Sequence, residues 1–72
     1  MNKNSELDCY LHFMWNVWDY DECVSHFNEH IWSKWVEADE QSGYKGAPAK
    51  FYAELDDKTR KVIVELAVAY YN

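Results

Sequence analysis

This chain of 72 residues offers only two cysteines, one proline, two glycines and no long apolar run. Each scarcity excludes something. Cys9 and Cys23 are too few for the disulfide framework of a small secreted domain. The start, Met1-Asn2-Lys3-Asn4-Ser5-Glu6, has no basic stretch leading into an apolar core, so it does not read as an export signal. Together these imply two reduced thiols and a cytoplasmic location, and the chain reads as a complete small reading frame. No stretch of about 18 apolar residues occurs, which argues against a membrane span. Gly43 and Gly46 share one loop rather than opening a long helix, so no phosphate-cradling loop forms. Neither a Cys-x-x-Cys pair nor a nucleophile elbow is present. The paired acids Asp39-Glu40 and Asp56-Asp57 read as solvated or helix-end charges. The expectation is therefore a protein that is not an enzyme and needs no cofactor.

Basic residues are also scarce: seven Lys and Arg against thirteen Asp and Glu, a net charge of −6. The imbalance lies in residues 1–42, with nine acids and two bases; residues 43–72 hold four acids and five bases. An acidic first half argues against direct nucleic-acid binding, which needs cations to displace counterions from phosphates. It suits a protein partner with a basic surface.

What the chain does have is aromatic mass: four Trp, six Tyr and three Phe, within a 49% hydrophobic composition. That is how so short a chain can bury a core. The spacing predicts one all-α domain, an antiparallel helical hairpin with a third helix closing over it. The first helix runs from about 6 to 18, capped by Ser5, with the stripe Leu7, Leu11, Met14 and Trp18. The second runs from about 21 to 41 behind an Asp19 cap, with the stripe Val24, Phe27, Ile31, Trp35 and Ala38. Residues 43–47 read as a loop. A short turn over 48–54, opened by Pro48, would carry Phe51, Tyr52 and Leu55 inward. The third helix spans about 57–71, capped by Asp56 or Asp57. Its main stripe is Val62, Ile63, Leu66, Ala69 and Tyr70. That segment also alternates as a strand would, but the chain offers no second strand to pair with it.

One short motif evokes metal chemistry. His26-Phe27-Asn28-Glu29-His30 matches the H-x-x-E-H string of inverted zinc peptidases. On a continuous helix His26 and His30 would share a face, with Cys23 one turn before. A third ligand, a substrate cleft and a far longer chain are all missing. The histidines therefore read as solvated surface residues, with a small metal-binding protein as the outlying alternative.

Two surface features exceed what a three-helix core needs. Trp32 and Val36 lie off the second helix's stripe among Glu29, Asn28 and Asp39, which suits a binding hot spot. The competing reading packs Trp32 against the loop carrying Tyr44 and Phe51. Val64, Val68 and Tyr71 form a second apolar strip on the third helix. Either that helix is sandwiched in the fold or the strip joins two copies in a homodimer. The favoured expectation is a small acidic inhibitor from a phage or other mobile element, of anti-restriction or anti-CRISPR type. It would dock by Trp32, Val36, Glu29 and Asp39 on the basic groove of a host nucleic-acid-binding complex. A regulatory or structural homodimer held by the third helix is the alternative.

Overall fold

A computed structural model describes residues 5–72. They form four helices in order, α1 (Glu6–Asn16), α2 (Tyr20–His26), α3 (Glu29–Glu54) and α4 (Asp57–Tyr71), in an all-helical, bundle-like fold. No strand occurs among the described residues, and no helix there is long and apolar enough to cross a membrane. Each helix starts on a side-chain cap. Ser5 accepts from the Asp8 amide, Asp19 from Glu22, Asn28 from Ile31 and Asp56 from Thr59, at 2.8–3.1 Å. These caps satisfy amides that the helices cannot.

The expected second helix, 21–41, is in fact interrupted. Phe27 leaves helical geometry (φ −136°, ψ −129°) and Asn28 caps a new helix. That cap was written in the sequence: Asn28 before an acidic first turn at Glu29. The expected loop 43–47 is helical except at Gly43, whose φ of 73° and ψ of 168° break α3 without ending it. That conformation is reserved for glycine. The chain resumes as helix at once, and Pro48 falls within the restarted turns.

Pro48 has no N–H, so the Tyr44 carbonyl four residues back lacks its helical donor. Trp15 Nε1 of α1 donates to that carbonyl at 3.2 Å, and the Tyr44 hydroxyl donates back to the Trp15 carbonyl. The buried Tyr10 hydroxyl donates to the Pro48 carbonyl at 2.7 Å. The irregular part of α3 is thus bound to α1. At its end, Arg60 donates to the Tyr52 and Ala53 carbonyls at 2.7 and 3.2 Å, closing α3 onto α4.

α1 packs most extensively against α4, and also against α3; α2 packs on α3. The tight pairing of the first and last helices differs from the expected hairpin of consecutive helices. The break at Phe27-Asn28 and the kink at Gly43 explain it, since together they turn the chain back across the molecule. Phe51, fully buried, is the hub of the core. Its ring meets Trp18 at 5.7 Å and Trp35 edge-on at 5.4 Å, and Trp18 also touches Phe13 and Phe27. Trp18 follows the end of α1 rather than lying within it. Its indole N–H finds no acceptor among the described residues, a desolvation cost set against burial of the ring.

The buried face of α1 is Cys9, Tyr10, Phe13 and Met14, turned about 100° from the expected stripe. Leu7, placed inside by the spacing, is 65% exposed. The reason is that the apolar arc of α1 is broad, running from Cys9 round to Leu11 and Trp15 opposite the polar face of Asp8, His12 and Asn16, so periodicity alone left the centre of its inner side undetermined. Tyr52 and Tyr70, also expected to point inward, are exposed, as is Ala69. On α4 burial centres on Ile63 and Ala67.

Candidate functional site

The break between α2 and α3 builds the most distinctive surface of the molecule. Tyr20 opens α2, and its hydroxyl donates to Glu29 Oε2 in the first turn of α3 at 2.6 Å. Its ring stands edge-on to Trp32, with centroids 5.8 Å apart. Trp32 is half-buried and Val36 exposed, one turn further along α3. Glu29, Trp32, Val36 and Asp39 follow at i, i+3, i+7 and i+10, within about 80° of the helix circumference. They form a strip that reads acid, aromatic, aliphatic, acid. Trp32 thus packs its ring on Tyr20 and also lies, partly buried, against the core cluster.

Residues 19–40 hold seven acids and one lysine, Lys34. Six of these acids are exposed, and Glu22 is half-buried beside His26 at 3.3 Å. The Glu29 carboxylate, as acceptor of its hydroxyl, holds the Tyr20 phenol above its ordinary range; partial desolvation and the Asp21 charge act the same way. This is an acidic-aromatic patch with no hydrolytic or redox group in it. Tyr20 is the member that spacing missed, because it joins the strip across a helix break. Its one signal is an aromatic between Asp19 and Asp21, next to a capping residue.

The metal candidates separate. His26 ends α2 and His30 lies in the first turn of α3, so the two do not share one helical face. Cys23 is fully buried while both histidines are exposed. Among the described residues no group of three His, Cys, Asp or Glu side chains is placed to hold a metal ion. Cys9 and Cys23 are both buried, and burial pushes the Cys23 thiol up to about 11.

The strip of Val64, Val68 and Tyr71 is half-buried and packed against the core. The Tyr71 hydroxyl donates to the His12 carbonyl of α1 at 3.2 Å, and the two rings lie 6.1 Å apart. Val62 and Leu66 on one side and Val64, Val68 and Tyr71 on the other thus flank one inner face centred on Ile63 and Ala67, while Ala69 and Tyr70 lie outside it. Val64 alone opens onto a surface groove, between α1, the second half of α3 and α4. No family model, curated protein or solved structure matches this chain.

Proposed function

We propose that this chain is a non-catalytic protein-binding module that docks through the α2–α3 face onto a basic surface of a protein partner. The observation that carries this reading is the Tyr20–Glu29–Trp32 cluster, an aromatic anchor fixed by its own hydrogen bond amid seven acids. Trp and Tyr are enriched among residues that dominate binding energy. A surrounding field of one sign steers association and selects the complementary partner. Acids along one helical strip imitate the phosphates of a nucleic acid. The specific reading is therefore an inhibitor, of the kind phages and mobile elements direct at host defence, that occupies the basic nucleic-acid groove of a nuclease complex in the cytoplasm.

The test is capture of partners from a host lysate by the intact chain, with Trp32→Ala as the matched control. A nucleic-acid-binding complex should be retained by the native chain, be lost with Trp32→Ala, and be displaced by added nucleic acid. A partner that Trp32→Ala retains, or that nucleic acid leaves in place, would overturn the proposal.

A further inference from the structure

Tyr20 and Trp32 stand at 87° to each other with ring centroids 5.8 Å apart, so their planes bound a right-angled corner. Tyr20 is 42% exposed and Trp32 half-buried, which puts that corner at the surface. The Tyr20 hydroxyl donates to Glu29 Oε2 at 2.6 Å and so sets a carboxylate at the rim of the Tyr20 ring. A carboxylate offers about four lone-pair sites, and the phenol takes one of them. No lysine, arginine or histidine nitrogen lies within 4.0 Å of Glu29 among the described residues. Aromatic faces are themselves electronegative, so two rings and an acid attract the same kind of group.

The charged groups around the corner agree on its sign. On α3, Asp39, Glu29 and Glu40 all fall within about 80° of Trp32 round the helix. The two bases of that stretch, His30 and Lys34, lie about 160° away from Trp32, and Glu37 about 140° away. From α2, the Asp21 charge reaches the Tyr20 phenol, and the one base, His26, is held by Glu22 at 3.3 Å. Asp19 caps α2 through the Glu22 amide. An anion would be repelled here, and a neutral group would gain nothing from the acids. Among cations, shape decides. A guanidinium is flat: one face lies on a ring while its N–H edge pairs with a carboxylate. It also gives up water more readily than an ammonium, which is a compact, strongly hydrated point charge. A ring wall with an acid at its rim serves both features of the guanidinium at once.

We propose that the Tyr20–Trp32 corner seats an arginine side chain of the partner protein, stacked on a ring and paired through its N–H edge with Glu29, which rests on the α2–α3 face being the docking face. Of the bases that line a nucleic-acid groove, the corner selects arginine over lysine.

The experiment is calorimetric titration of the full chain with hexa-arginine and with hexa-lysine, equal in charge, at one low salt concentration. Circular dichroism confirms that each variant folds. Hexa-arginine should bind at least about fivefold more tightly than hexa-lysine. Trp32→Ala should abolish that preference. Glu29→Gln, an exposed change that leaves an acceptor for the Tyr20 hydroxyl, should reduce it. Equal affinity for the two peptides, with Trp32→Ala weakening both, would overturn the arginine corner and leave the basic docking face standing. A preference that survives both substitutions would place the guanidinium elsewhere and overturn the corner too. If neither peptide binds, the corner and the docking face fall together.

Discussion

Trp32 and Trp35 are three residues apart on the same helix and do opposite jobs. Trp35 is 7% exposed and abuts Phe51, whereas Trp32 is half-buried on Tyr20. Trp35→Ala is expected to destabilise the fold by about 3–5 kcal/mol. Trp32→Ala should destabilise it far less and weaken partner binding by at least about 2 kcal/mol, and binding by the native chain should itself weaken as salt rises. Melting curves and titrations of both variants check this; equal melting losses would make Trp32 a core residue. The distinction was legible from helical spacing: at 100° per residue Trp35 belongs to the apolar stripe, whereas Trp32, about 60° round from it, lies about 100° from the centre of that stripe. The contact with Tyr20 was not, since it crosses a break that spacing does not register. Cys23 gives a second residue-scale expectation. Burial raises its thiol from 9.0 to about 11, so at pH 8 little thiolate is present. Native protein at that pH should react with a thiol reagent only as it unfolds, and denatured protein should titrate two thiols. A raised value favours the folded state fully below the ordinary thiol range, and that contribution fades as pH climbs toward 11.

The elements are governed by their ends. Three caps, at Ser5, Asp19 and Asp56, could be read from the sequence because each is a short polar residue just ahead of a helical pattern. Asn28 is of the same type. It went unread because the apolar residues on either side, Phe27 and Ile31, kept helical register across the gap. Gly43 is the converse case: a glycine does mark a break, but α3 resumes directly after it. Its φ of 73° with ψ of 168° is costly for any other residue, and an added Cβ would meet nothing within 4 Å. Gly43→Ala should therefore destabilise by about 1–3 kcal/mol through backbone strain alone, measured by chemical denaturation. An unchanged midpoint would mean that the kink is not fixed. At α4, the Thr59 amide bond to the Asp56 carboxylate lowers the acid below its usual range, aided by Lys58 and Arg60. A depressed carboxylate stabilises the fold above its unfolded value and stops doing so as pH falls through the folded one. The melting advantage of native protein over Asp56→Ala should be full near neutrality and shrink on acidification. Asp56→Asn, whose cap does not titrate, should keep its advantage over Ala.

At the scale of the molecule, the all-helical class followed from aromatic mass and 3.6-residue periodicity, while the helix partners did not. Which helix lies against which depends on the two kinks and on α1's inner side, and a helix with so broad an apolar arc does not declare it. Two hydrogen-bonded tyrosines tie α1 to α3: Tyr10 to Pro48 and Tyr44 to Trp15, spanning 38 and 29 residues of sequence. Tyr10→Phe keeps the ring and removes one bond. It should lower stability by about 0.5–1.5 kcal/mol in equilibrium unfolding, with fluorescence and circular dichroism transitions still coincident. A loss near zero would mean the hydroxyl is equally well served by solvent.

The pairing of α1 with α4 also sets a timetable. A ribosome adding about 5–20 residues per second completes α1 some 3–11 s before α4 exists. Through that interval Phe13, Met14 and Tyr10 have no α4 to lie against, and the acidic residues that follow them in the chain are the first to emerge after α1. Their mutual repulsion, and that between neighbouring nascent chains, keeps an aromatic-rich segment dispersed while it waits. The same negative charge proposed to meet a partner late in the protein's life would thus act earlier as its safeguard against aggregation.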